Sequence, residues 1–265
     1  MVIGMRNKER KTSLLGHLND LRRMLIISLA AIAMGVLVCY FFLREPLMSV
    51  AFEPIRQLGK EPVMLGVAEG FMVQMRLACI AGIILASPIV LWQVVAFILP
   101  AFYENEKKAF SIYFFSSVIL FIGGVLFSYF YVLKLGLRTF LFDYSEGLSV
   151  MISAGRYLSF LETFLIPFGL IFQIPLIACL LSSIGFLNPD RLKRKRRYAI
   201  LIILIIAAFL TPPDVLSQLM LTLPMVALYE VSILLSGIIV KKKKAKLRAR
   251  QDAEYQLAKS IYPLK

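Results

Sequence analysis

A chain of 265 residues that is 59% hydrophobic and only 17% charged is too apolar for an ordinary soluble domain. Its apolar runs are long and continuous, which indicates a polytopic helical membrane protein and argues against barrel strands, because those alternate apolar and polar residues. The net charge of +14 lies mainly in segments that flank these runs, and no nucleic-acid-binding motif accompanies it.

Six apolar runs predict an all-α membrane protein with six transmembrane helices. The fifth run is too short for a normal crossing, since a helix over 198–210 covers roughly 20 Å of a hydrocarbon core about 30 Å thick. We therefore expect either a locally thinned bilayer or a span hidden inside the bundle. The predicted spans are 24–43, 71–99, 109–133, 158–184, 198–210 and 216–239.

The basic residues lie mostly on one side of these spans, which places both termini in the cytoplasm. The predicted organisation is a cytoplasmic segment 1–23, a membrane domain 24–239 and a basic cytoplasmic tail 240–265. The tail is expected to be a surface helix or a disordered segment near anionic lipid. The first external segment, 44–70, contains three prolines and several charges, which predicts an irregular cap with short helices.

Just before the first span, Asp20 is an acid on a surface rich in cations. It either pairs with neighbours such as Arg22 or binds a cationic ligand. His17 and Asp20 would supply only two metal ligands, and the three cysteines lie apart inside apolar runs. The sequence therefore predicts neither a metal site nor a cofactor.

The turn after the second span places Glu104 and Glu106 beside aromatic residues that include Phe97. Pro100 ends the second span, and the two acids can favour the start of the next helix through its dipole. The alternative is a docking site for a cationic peptide, because a carboxylate accepts two parallel hydrogen bonds from the planar guanidinium of Arg.

Polar residues also interrupt the later spans. Glu162 and Gln173 lie in the fourth run and Glu230 lies in the sixth, where such groups face a partner or water instead of lipid. Gln173 is typical of a structural hydrogen bond between helices, and no connected series of acids traces a proton pathway. Between the fifth and sixth runs, a Thr-Pro-Pro-Asp turn stops one helix, and Asp214 can cap the next.

Six motifs, in order, resemble the TatC family, the multispanning core of the twin-arginine protein translocase. The similarity extends from about Leu14 to Ser236. The motifs are HLNDLR, FEPI, PIVLWQVVAFILPAFYENEKK, SYF after a Gly-Gly pair, SFLETFLIPFGLIFQIP and LTPPDVLSQLMLTLPMVALYE.

The resemblance implies a receptor that is not an enzyme. Its fold would be a curved, glove-like bundle in which the last two spans are short. It would bind signal peptides with paired arginines on folded proteins, associate with single-span TatA and TatB subunits in an oligomeric complex, and draw on the proton-motive force. Its location would be a bacterial-type cytoplasmic membrane.

The resemblance also assigns site residues. Signal-peptide binding falls to Asp20, where the family usually has Glu, together with Arg22, Phe97, Glu104 and Glu106. Partner-helix or transport roles fall to a second set, in which a position that is acidic in some members is an uncharged Gln. This second set is Pro54, Gln173, Thr211, Asp214 and Gln218.

The polar residues within the spans suggest two other classes of function. A secondary transporter of a small solute would use Glu162, Gln173 and Glu230 as a polar pathway, but no internal repeat or matching pair of broken helices supports it. An intramembrane enzyme lacks support too, because neither HExxH nor GxSxG occurs and the single His17 lies outside the spans.

Overall fold

The computed structural model describes residues 14–98, 107–143, 151–183, 185–210 and 215–261, and this part of the chain is almost entirely helical. Helices α1 to α3 form the first half of the fold, and a short strand, β1, lies between α2 and α3. The bounds are α1 Leu14–Phe42, α2 Arg44–Arg56, β1 Pro62–Val63 and α3 Glu69–Ile98.

The third long helix is continuous through changes of helical type. Helix α4 passes into a π-helical turn, then α5, then a second π-helical turn. The predicted end at residue 133 is therefore wrong, because the backbone stays helical for ten residues beyond it. The bounds are α4 Lys107–Phe127, π1 Ser128–Val132, α5 Leu133–Arg138 and π2 Thr139–Asp143.

The remaining helices complete the bundle. The predicted fourth span is two helices, because Phe172 and Gln173 form a turn between them. Helix α10 extends far past the predicted span, so the basic tail is helical as far as Ile261. The bounds are β2 Ile152–Ser153, α6 Ala154–Ile171, α7 Ile174–Ser183, α8 Pro189–Arg194, α9 Arg196–Leu210 and α10 Val215–Ile261.

Five predicted spans are confirmed as helical segments long and apolar enough to cross a membrane. Helix α9 forms where the short fifth span was predicted. Its 15 residues cover about 22 Å, less than a full crossing of the hydrocarbon core. The five segments are Leu18–Phe42, Glu69–Ile98, Phe110–Leu141, Ala154–Ser183 and Gln218–Lys241.

Helices α1 and α3 pack antiparallel with their backbones close together. A Cβ atom added to Gly35 would lie 2.6 Å from the carbonyl oxygen of Gly82. One end of the pair is fixed by Arg44, which follows α1 and whose guanidinium donates to the Gln74 side chain over 3.4 Å. Small residues at this crossing allow the close approach, as is usual between membrane helices.

The cap formed by segment 44–70 is more regular than the sequence predicts. Helix α2 accounts for much of it, and β1 pairs in parallel with β2, a small departure from an all-α fold. The Glu69 carboxylate ties this region together, since it accepts hydrogen bonds from the Leu65 and Gly66 amides, from the Ser153 hydroxyl at 2.5 Å and from the Gly155 amide at 2.8 Å.

Helix α6 lies at the centre of the described bundle. Its residues Leu158 and Leu161 pack in a core with α2, α3 and α4. Farther along the same helix, Phe168 belongs to a second core, with Ala207 of α9 and Leu221 of α10. Helix α6 therefore links the cap to the short α9.

Candidate functional site

Two of the predicted signal-binding residues lie in the second and third turns of α1. The side chains of Asp20 and Arg22 are both exposed. Among the described residues, neither takes part in an ion pair, although Asp20 was interpreted as a possible partner of Arg22. Asp20 thus presents a carboxylate that is available to a ligand.

The helix register brings Asp20 and Phe97 to the same level. Along the antiparallel pair, Gly35 lies against Gly82, and Arg44 bonds to Gln74. Continued toward the start of α1, the same register places Asp20 opposite Phe97, which is half-buried near the end of α3. By this register, two residues that are far apart in sequence lie at the same end of the helix pair.

Aromatic contacts hold the two helices that flank the acidic turn. The Trp92 ring lies 4.8 Å from Phe110 and 4.9 Å from Phe114, centroid to centroid, so the end of α3 is fixed against the start of α4. Glu104 and Glu106 themselves lie outside the described residues. Their flanking helices nevertheless end at the same face of the bundle as the start of α1.

The Gln173 side chain is buried and forms a hydrogen bond within the chain. Its side chain is 8% exposed, and its amide donates a hydrogen bond to the Ser117 carbonyl over 2.9 Å. The residue lies at the break between α6 and α7, where Pro175 lacks the N–H that would bond to Ile171. The expected structural hydrogen bond between helices is confirmed.

Gln218 joins the two helices on either side of the polar turn. Its amide donates to the Leu204 carbonyl over 3.1 Å, and its own carbonyl accepts from the Thr222 hydroxyl at 2.7 Å. Thr211 and Asp214 lie outside the described residues. Of the predicted partner-helix residues near this turn, Gln218 is the one that the structure describes, and it joins α9 to α10.

Pro54 is buried inside α2 and sets up a contact with another helix. Proline has no N–H, so the Val50 carbonyl lacks its usual helical donor. The Tyr129 hydroxyl of π1 supplies one over 2.6 Å, and the Tyr157 hydroxyl of α6 donates to the next carbonyl, of Ala51, also over 2.6 Å. Pro54 lies at the opposite end of the bundle from Asp20.

The acids of the spans do not form a chain of polar groups. Glu230 pairs with Arg196 at 2.6 Å, a contact that joins the start of α9 to α10. Glu162 lies one turn after Ser159, whose hydroxyl accepts from Arg76 at 2.8 Å. Sequence reasoning missed the pair between Arg196 and Glu230, although opposite charges near the same end of neighbouring spans were a signal for it.

The described residues contain no group of three or more His, Cys, Asp and Glu side chains that could hold a metal ion. Several of their polar side-chain contacts join helices to one another, and those of Glu69 lie in the cap.

Relatives of known family match nearly the whole chain. A TatC protein of Carboxydothermus hydrogenoformans is 37% identical over 237 residues, which cover 89% of this chain and 97% of the relative. TatCy of Bacillus subtilis is also 37% identical, over 250 residues that cover 93% of this chain and 97% of the relative. Both are described as Sec-independent protein translocase proteins.

Solved structures agree with this assignment. A crystal structure of the twin-arginine translocase receptor TatC has a TM-score of 0.74 and 32% identity, and the match covers 84% of this chain and 99% of that one. A second, in the detergent DDM, has a TM-score of 0.76 and 33% identity, with 83% and 99% covered. The family model for Sec-independent protein translocase protein (TatC) matches residues 16–224. The resemblance inferred from the six motifs is confirmed, and the chain belongs to the TatC family of protein translocase components.

Proposed function

We propose that this chain is the receptor of a twin-arginine translocase and that it binds paired arginines at the face formed by Asp20, Phe97 and the acidic turn. The observation that carries the proposal is the exposed Asp20 carboxylate, which has no ion-pair partner among the described residues and lies level with Phe97. Glu104 and Glu106 follow the same end of α3 in sequence. Asp20 and Glu106 would each receive one arginine.

Arginine suits this face better than lysine. A hydrogen bond to a charged group contributes about 1.5–3 kcal/mol, and less where solvent and salt screen it. Guanidinium offers two parallel donors to a carboxylate, whereas ammonium is a compact point charge. The cations around Asp20, among them Arg22 and Arg23, repel a misplaced arginine pair and so sharpen selection.

The same proposal covers the assembly. TatA- and TatB-type single-span subunits would pack near α9 and α10, in a bacterial-type cytoplasmic membrane with both termini inside and with the bundle curved around the incoming signal peptide. Helix α9 offers apolar side chains for such packing, and Phe209 is 87% exposed. Transport itself would draw on the proton-motive force.

The structure gives the small-solute transporter little support. That alternative needs Glu162, Gln173 and Glu230 to form a connected polar path. Gln173 is bonded to Ser117, and Glu230 is paired with Arg196 at the start of α9, so two of the three groups already have partners within the chain.

Crosslinking a twin-arginine signal peptide to the membrane-embedded protein tests the proposed receptor. The double variant Asp20→Asn and Glu106→Gln should lose most of the crosslink, because both carboxylates are removed without a change of size. Asp190→Asn is the matched control, since Asp190 is an exposed acid in α8, at the same end of the bundle. Undiminished crosslinking in the double variant would exclude docking at these acids.

A further inference from the structure

A groove of about 340 Å³ opens between α5 and α10 near the end of the bundle that carries the cap. One wall comes from π1 and α5, and the other comes from the first turns of α10. Most of the lining is apolar or aromatic. We call this the α5–α10 groove, and the residues that matter are Phe127, Phe130, Lys134, Arg138, Met220 and Pro224.

Two cations stand on one wall of the α5–α10 groove. Lys134 and Arg138 are four residues apart on a helix, so they share a face. The Lys134 ammonium lies 5.9 Å from the centre of the Phe130 ring. Within the described part of the chain, neither cation is paired with a carboxylate. The groove therefore combines an apolar surface with two uncompensated positive charges.

The two cations lie near the level along the bundle at which the short α9 ends. Helix α10 begins at Val215, about 7.5 Å along the axis from Met220, and Met220 shares the groove with Lys134 and Arg138. The start of α10, which follows the short α9 in sequence, is thus close to the level of the two cations. Because α9 covers only about 22 Å, a bilayer thinned to match it would place its headgroups near that level.

We propose that the α5–α10 groove binds one anionic phospholipid. The phosphate would lie between Lys134 and Arg138, and an acyl chain would follow Phe127, Met220 and Pro224. The two positive charges favour an anionic lipid over an apolar partner helix. Such a helix in the groove would leave both cations unpaired next to hydrocarbon, which is costly. The bound lipid would hold the bilayer at a reduced thickness beside α9.

Native mass spectrometry of the full-length protein tests this proposal. The protein would be extracted from vesicles of equal parts phosphatidylglycerol and phosphatidylcholine, and the lipid retained on it would be identified. We expect retained phosphatidylglycerol, and the double variant Lys134→Gln and Arg138→Gln should bind it about tenfold more weakly, since each basic residue near a membrane surface contributes to anionic-lipid binding.

Two further variants distinguish lipid binding in the groove from a general effect of the protein's net charge. Arg56→Gln with Lys60→Gln removes two cations at the same end of the bundle and should leave retention unchanged. Lys134→Arg with Arg138→Lys keeps both charges and should also retain the lipid. Equal retention of phosphatidylcholine by the unmodified protein, or an equal loss in the Arg56 and Lys60 control, would overturn the proposal.

Discussion

At the scale of single residues, a proline within a helix leaves the backbone carbonyl four residues earlier without its helical donor, and a side-chain hydroxyl donates to it instead. Pro54 leaves the Val50 carbonyl to the Tyr129 hydroxyl, and in α3 the Ser87 hydroxyl donates over 2.7 Å to the Ile84 carbonyl, which Pro88 cannot reach. The sequence shows where these prolines are, but it does not reveal which side chain donates to the carbonyl that each one leaves free. Tyr129, for example, is 79 positions from Val50.

Tyr129→Phe should lower the free energy of unfolding by about 0.5–1.5 kcal/mol, since it removes the hydroxyl that donates to the Val50 carbonyl. In a Pro54→Ala background the cost should shrink, because alanine restores the helical N–H that proline lacks. Unfolding in detergent micelles measures both values. Tyr131→Phe is the control, since Tyr131 is 68% exposed. An equal cost of Tyr129→Phe in the two backgrounds would contradict this account.

Gln173→Leu should also destabilise the protein by about 1–3 kcal/mol, because the Ser117 carbonyl would lose its side-chain donor in a buried site. Measuring stability and peptide binding on this variant distinguishes a structural role of Gln173 from a role in transport. We predict a lower unfolding temperature together with unchanged binding of a twin-arginine peptide, measured on the same preparation. A loss of peptide binding without a loss of stability would mean that Gln173 acts in recognition.

At the scale of helices, the sequence predicts where they are better than where they end. The predicted third span ends at residue 133, just before Lys134 and Arg138, yet the π-helical turns carry the helix to Asp143. Charges mark the edge of an apolar run but do not stop backbone hydrogen bonding. The break at Gln173 could have been predicted, since Pro175 removes one bond of the helix.

The glycine pair of α4 offers a comparison of neighbouring positions. A Cβ at Gly124 would lie 2.6 Å from the Phe168 carbonyl oxygen of α6, whereas nothing lies within 4 Å of one at Gly123. Gly124→Ala should therefore cost about 1–3 kcal/mol by forcing the helices apart. Gly123→Ala should be neutral or should stabilise by up to about 1 kcal/mol through helix propensity. Similar unfolding temperatures for the two variants would contradict the close packing of α4 against α6.

At the scale of the whole molecule, the two ends of the bundle differ in character. One end carries the start of α1, the aromatic contacts beside the acidic turn and the pair between Arg196 and Glu230. The other carries the cap, the α5–α10 groove and the junction of α9 with α10. The register of α1 against α3 is what assembles the first end, and no local pattern in the sequence reveals it.

The pair between Arg196 and Glu230 should contribute little to overall stability. Its side chains are 49% and 38% exposed, and such pairs are worth about 0–1 kcal/mol. Glu230→Gln should leave the unfolding temperature nearly unchanged, and raising the salt concentration should reduce the small difference further. Loss of export in cells that carry Glu230→Gln, with normal protein levels, would instead assign Glu230 a direct role in transport.

The most direct test of the account is the binding of Arg-Arg and Lys-Lys signal peptides to the unmodified protein and to the double variant Asp20→Asn and Glu106→Gln. We predict that the unmodified protein prefers Arg-Arg by about tenfold, because each guanidinium forms a two-point contact with a carboxylate. The preference should disappear in the double variant. The same preference in both proteins would contradict the claim that Asp20 and Glu106 select the arginine pair.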